Sequence, residues 1–349
     1  VIEEMEKVEN AIPEMEDYRR LYQAAEDFKQ LACWKWMSDI DIFGVQDPVS
    51  GEIGYCSVMG ASGKLVGLAV YVGDEGFTYL QSLLEECGIE PTDPDFELMQ
   101  RCLLVVFENR EELTKRDLEI IKMLGLKFRG RKQWPLFRSL LPGYHPWYLN
   151  QAEARFLTIC LEQAQEVARA CRENRNYLPL RGFVYLVRVP ESGEEGLRWS
   201  DKHIYPCPAP APKPRLAVKQ KLVQAIKESC RVSDQVWEVD ASFAPVTIQE
   251  DRNSRPYYPR LFLCGDTKSG LIIGYDMFKP NDLPKEIQER FLQVVAETKT
   301  IPQLVATQNA ATRTALQPLA KKLGVTLLKV RALPIIGALR EEMARRSGV

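Results

Sequence analysis

At 349 residues with a formal net charge of -2, 45% hydrophobic and 27% charged residues, the chain has the composition of an ordinary soluble globular protein of about two domains. Its charge gives no global pull toward nucleic acid, and two histidines, His145 and His203, with nine singly scattered cysteines and no C-x-x-C pair exclude the common zinc sites and a disulfide frame. No window holds the roughly 18 apolar residues a membrane span needs, and the start VIEEMEKVENAIPEMED is acidic where a signal peptide would be basic, so a cytoplasmic protein is expected.

Helical periodicity with an acidic surface runs over residues 1–31. Two strands follow, IGYCSV (53–58) and LVGLAVYV (65–72), joined by the turn MGASGK; its Gly-x-x-Gly-Lys fragment lacks the spacing and flanks of a phosphate-binding loop. A helix is predicted near 76–87 and a buried strand at CLLVVFE (102–108). Thr114, with Asp117 in the position a capping box requires, starts a helix that runs to about Leu124. Residues 151–173 carry an apolar stripe through Phe156, Leu157, Cys160, Leu161, Ala164, Val167, Ala168 and Cys171, and GFVYLVRV (182–189) reads as a strand. This half is α+β.

Alternating proline in PCPAPAPKPRL places a linker at 206–216, between a domain over 1–205 and a domain over 217–349. Beyond it come a lysine-rich helix (216–229), the strand VWEVDASF, the hairpin PRLFLCGD-TKSG-GLIIGYDMF with Gly270 in its turn, and a helix at 284–298. The strand PQLVAT, a helix at 309–323 ending at Gly324, the strand VTLLKV and a last helix at 335–346 complete a βββαβαβα order, an α/β domain with a mixed sheet.

That layout over 232–346 resembles the RNase H/integrase superfamily, and within it a bacterial domain family of unknown function marked by Asp240, Phe243, Arg255-Pro-Tyr-Tyr-Pro259, Asp266 and Ser269-Gly270. WKWM (34–37), FGVQDP (43–48), YCSVMG (55–60), GLAVYVGDEGF (67–77) and PGYHPW (142–147) make the first half similar to a second domain that accompanies it. The superfamily resemblance implies Asp240 as first metal ligand, because in-line phosphoryl transfer needs acids converging on divalent ions. The second acid is expected after PQLVAT, where the chain reads Thr307-Gln308-Asn309, so Gln308 stands in its place. Glu341 and Glu342 on the last helix are candidates for the third.

Two readings follow. In the first the acidic set is incomplete, no cofactor is needed, and the chain is a non-catalytic binding protein for nucleic acid or a protein. In the second it is a nuclease using Mg²⁺ or Mn²⁺ on Asp240, Glu341 or Glu342, and a further acid such as Asp266. A third option is a scaffold between proteins, marked by exposed Trp34, Trp36 or Trp147. Asp240 alternatively pairs with Arg255, Arg260 or Lys268, and Asp266 alternatively orders its own turn. Arg255, Tyr257, Tyr258 and Asp266 offer a ligand platform, or a proline-braced edge. The basic segment 127–138, with Lys127, Arg129, Arg131, Lys132, Trp134 and Arg138, combines cations for phosphate with aromatics for bases; the alternative is a solvated loop with its rings turned inward. A second basic strip runs along 212–221.

Overall fold

The computed structural model describes residues 11–85, 95–179, 184–193, 196–206, 213–279 and 283–347. The expected helical stretch before residue 11 and most of the proline-rich 206–216 segment therefore lie outside the described residues. The chain divides into two compact units: residues 1–87, 100–141 and 146–209 form the first, and 88–99, 142–145 and 210–349 form the second. The second unit thus takes in two short segments from the first half, 88–99 and 142–145, which a single cut near residue 210 does not foresee. No helix among the described residues is long and apolar enough to cross a membrane.

In the first unit α1 (Met15–Leu31) precedes β1 (Phe43–Gln46), β2 (Ile53–Met59), β3 (Gly67–Val72), α2 (Gly73–Glu85), β4 (Cys102–Glu108), α3 (Lys115–Met123), β5 (Trp134–Leu140), α4 (Gln151–Glu173), β6 (Tyr185–Gly193) and β7 (Gly196–Ile204). The strands form one sheet in the order β5-β4-β3-β2-β1-β6-β7, antiparallel throughout except at β1 and β6. The apolar stripe of α4 is buried from Phe156 to Ala168 against α1 and the sheet, while Cys171 at its end is half-buried. Thr114 caps α3 as expected, its hydroxyl accepting from Asp117 N at 3.2 Å. The basic segment holds a strand where a loop was expected: β5 pairs with β4 and alternates Pro135, Phe137 and Ser139 inward. Its proline is tolerated because β5 is a sheet edge, where a missing N–H breaks no second ladder.

The second unit continues with α5 (Gln220–Ser229), β8 (Arg231–Val232), β9 (Val236–Phe243), β10 (Arg260–Asp266), β11 (Leu271–Phe278), α6 (Leu283–Thr298), β12 (Thr300–Ile301), β13 (Leu304–Thr307), α7 (Ala310–Leu323), β14 (Thr326–Lys329) and α8 (Pro334–Ser347). Its five-stranded sheet runs β11-β10-β9-β13-β14, with β9 to β11 antiparallel and β13 and β14 parallel to β9. Strand alternation splits β9 between two faces. Trp237, Val239 and Ala241 join Phe291, Val295, Leu316 and Leu319 of α6 and α7 in the main core. Glu238, Asp240 and Ser242 turn to the face on which Leu333 and, from α8, Ile336 pack. Gly270 closes the hairpin at φ 71° and Gly324 ends α7 at φ 76°, left-handed conformations that glycine adopts without strain.

Candidate functional site

The polar face of β9 carries three wholly buried groups, Glu238, Asp240 and Ser242. Burying carboxylates is costly unless each finds cations or N–H donors, and every one here does. Glu238 accepts from the backbone N–H groups of Ile335 and Ile336, both at 3.0 Å, and so seats its charge on the positive end of α8. Asp240 forms an ion pair with Arg340 of α8, which also donates to Ser242, and accepts from Asn309 N at 3.3 Å.

Beside Asp240 lies a third buried carboxylate, Asp95, in the segment 88–99. Its Oδ1 accepts from Phe243 N at 2.8 Å; its Oδ2 accepts from Asn309 Nδ2 at 2.8 Å and pairs with Arg260. Asn309 is the hub, because its side-chain oxygen also caps α7 by accepting from Thr312 N at 3.0 Å. Arg260 donates to Ala241 O at 3.1 Å and its guanidinium lies 3.6 Å from the centre of the Phe243 ring. Gly143, at φ 78°, lies close to that ring as well: a Cβ there would fall 2.8 Å from it.

The predicted site residues divide sharply. Asp240 is in the cluster, but its cation is Arg340 and not Arg255, Arg260 or Lys268. Gln308 is half-buried, and the next residue, Asn309, reaches the carboxylates. The last-helix acids do not: Glu341 is exposed and Glu342 pairs with Arg345 at 3.1 Å. At 100° per residue, the phase that brings Arg340 to Asp240 turns its two successors away. Asp266 lies three residues beyond the partner of Asp240 on β10, about 10 Å along the strand. There it orders the hairpin turn, accepting from Ser269 Oγ at 2.7 Å and Ser269 N at 3.1 Å. Burial pushes its carboxyl up, but the Ser269 hydroxyl, the Lys268 and Ser269 N–H groups and the Lys268 charge together hold it below the usual carboxylate range.

Arg255, Tyr257 and Tyr258 form a braced edge. Tyr257 is buried and exchanges two backbone hydrogen bonds with Ile248, Arg255 Nε donates to His145 O at 3.0 Å, and Tyr258 N donates to Gly143 O at 2.8 Å. In the basic segment Lys127, Arg129 and Arg131 are exposed. Lys132 instead donates to the carbonyls of Gly63 and Lys64 at 3.0 and 2.6 Å, and Arg138 pairs with Asp117 at 2.7 Å. Trp134 and Phe128 pack on the core with Tyr22 and each other rather than facing solvent. Of the scaffold tryptophans, Trp36 donates to Ala168 O at 2.9 Å under Arg172, Trp34 packs on Phe28, and Trp147 on Tyr148. Separately, a cleft of about 640 Å³ in the first unit runs between the start of α4 and the ends of β3 to β5, flanked by the pairs Arg101–Glu52 and Arg155–Asp17. None of the expected site residues lines it.

The donor set around Asp240 does not fit a divalent ion. Guanidinium groups hold the charge-balancing positions on both carboxylates, and the Asn309 carbonyl oxygen is turned to a helix cap. Sequence reasoning missed Asp95 and Arg340. Nothing local marks Asp95, which is 145 positions from Asp240; Arg340 could have been found only by fixing the phase of α8 against β9.

Residues 18–188 match the family model described as Domain of unknown function (DUF7309), and residues 222–344 match Domain of unknown function (DUF6930). Among solved structures, part of the chain is similar to the HTLV-2 integrase catalytic core domain in complex with magnesium, at 15% identity and TM-score 0.24, covering 32% of this chain and 68% of that one. The catalytic core domain of BIV integrase is similar at 16% identity and TM-score 0.23, covering 32% and 66%. No curated protein matches the chain.

Proposed function

We propose that this chain is a non-catalytic binding protein on an RNase H-like scaffold, with nucleic acid or a protein as its ligand, working in the cytoplasm. The observation that carries the reading is the Arg340–Asp240 pair. A two-metal nuclease needs cations between its acids to charge both attacking and leaving oxygens. Here an arginine occupies that role for Asp240 and a second does so for Asp95, and a guanidinium has no open coordination position for water or phosphate. The strand order β11-β10-β9-β13-β14, with two parallel strands added beside β9, supports the scaffold.

Nucleic acid is supported by exposed cations on each unit. The first presents Lys127, Arg129 and Arg131; the second presents Lys213, Arg215, Lys219, Lys221, Lys227 and Arg231, with Glu228 as the one acid between 213 and 231. Gln288, fully buried, holds the second strip in place by accepting from Ala217 N and donating to Arg215 O, both at 2.8 Å. Seven unpaired described cysteines fit a reducing compartment.

The test pairs cleavage with binding. Labelled single- and double-stranded DNA and RNA are incubated with the protein and Asp240→Asn in Mn²⁺, and binding is followed by anisotropy against salt. Binding without cleavage by either protein is expected. Cleavage by the wild type that disappears in Asp240→Asn would overturn the reading and reinstate the nuclease. Binding unchanged by salt would remove nucleic acid and leave a protein ligand.

A further inference from the structure

We propose that the second unit contains a built receptor for a carboxylate, and that Asp95 is its tethered ligand. Three donors from three elements converge on one planar anion: Phe243 N–H from the end of β9, Asn309 Nδ2 from the cap of α7, and the Arg260 guanidinium from the start of β10. Together they satisfy both oxygens of an ionised carboxylate, which accepts and cannot donate. The receptor is held by contacts that do not involve its ligand. Arg260 is fixed by Ala241 O and the Phe243 ring, and Asn309 by Thr312 N and by its own N–H on Asp240.

Charge makes the requirement specific. Arg340 is matched by Asp240, and Glu238 by the end of α8, so the remaining buried cation, Arg260, is neutralised by the group on Asp95. Arg260 is 4% exposed and its Nε is a buried donor with no acceptor among the described residues, so water offers it little relief. A neutral amide or hydroxyl would leave the site one charge short. The receptor residues and the groups that hold them lie between 240 and 312, whereas Asp95 is 148 positions before Phe243 and 214 before Asn309. The pocket belongs to the second unit's own sheet and helix cap, and the ligand comes to it on a separate stretch of chain. The chemical class is a small planar monocarboxylate, the aspartate side chain being acetate joined to the backbone.

This inference stands apart from whether the chain binds nucleic acid. Its test is chemical rescue in the full-length protein. Asp95→Ala is melted in increasing sodium formate or acetate and, at equal ionic strength, in sodium chloride. The variant should melt below the wild type, and formate or acetate should raise its Tm saturably, as a ligand binding only the folded state does. The wild type, with its receptor filled, should show only each salt's general, non-saturating effect, against which the response of the variant is read. Asp95→Ala/Arg260→Met, which removes ligand and cation together, should melt above Asp95→Ala and show no preference for formate. If Asp95→Ala is unfolded in buffer, its refolding yield with formate against chloride is the readout. Equal responses of Asp95→Ala to formate and chloride, or a formate response that survives loss of Arg260, overturns the proposal.

Discussion

At the scale of single residues the second unit is governed by matched buried charges. Asp240 is fully buried and Arg340 reaches it from the protein surface. Arg340→Ala therefore strands a carboxylate and is expected to cost roughly 3–5 kcal/mol in urea denaturation. Asp240→Asn keeps an acceptor for Asn309 N–H and removes the charge, so it should cost less than Arg340→Ala. Asp117 in the first unit shows the same logic in acid. Burial pushes its carboxyl up, but hydrogen bonds and charge from Arg138, with hydrogen bonds from Thr114, outweigh this and hold it below the usual range. A lowered folded-state pKa stabilises above the unfolded value, about 3.9, and that contribution is lost as pH falls through the folded value. Stability of the wild type should therefore drop on acidification below about pH 4, and Asp117→Asn should flatten that limb while lowering stability at pH 7.

At the scale of elements, what was legible depended on whether an element is specified by its own residues. The α4 stripe repeats at helical spacing, and Gly270 and Gly324 mark turns by a backbone conformation that other residues resist, so these could be read locally. Strand β5 was hidden because Pro135 and the surrounding cations look like loop chemistry until its edge position is known. The start of α8 is set by Glu238, about a hundred positions earlier, and which of Arg340, Glu341 and Glu342 faces the sheet follows from that docking. Glu238→Gln should thus weaken α8 by about 1 kcal/mol, read as faster hydrogen exchange confined to 334–347. Asn309→Ala removes both the α7 cap and a bond to Asp95, and should cost about 2 kcal/mol or more. Asp240 was singled out because an acid set in an apolar strand stands out in the sequence, although β9 runs three residues past it; its companion Asp95 has no such mark.

At the scale of the molecule, the second unit is not one continuous stretch of sequence. Residues 95–99 and 142–145 bond to each other through Gly143 N and Leu98 O at 2.8 Å, and 142–145 bonds to 256–258. A fragment cut after the proline-rich segment, beginning near 213, would lack Asp95 and leave Arg260 as an unbalanced buried cation. It should be less stable by roughly 3–5 kcal/mol than the same unit in the full chain, compared by urea denaturation followed at Trp237. Gly143→Ala should also destabilise this unit, since the new methyl would press on the Phe243 ring.

The separation of Asp95 from Arg260, 165 positions along the chain, also has a meaning in time. On the ribosome, at roughly 5–20 residues per second, the aspartate emerges many seconds before the arginine and the asparagine that will hold it. Its segment must wait through the synthesis of most of the first unit and the linker. Arg340 follows Arg260 by 80 positions, so Asp95 can meet its cation before Asp240 meets the one that α8 brings.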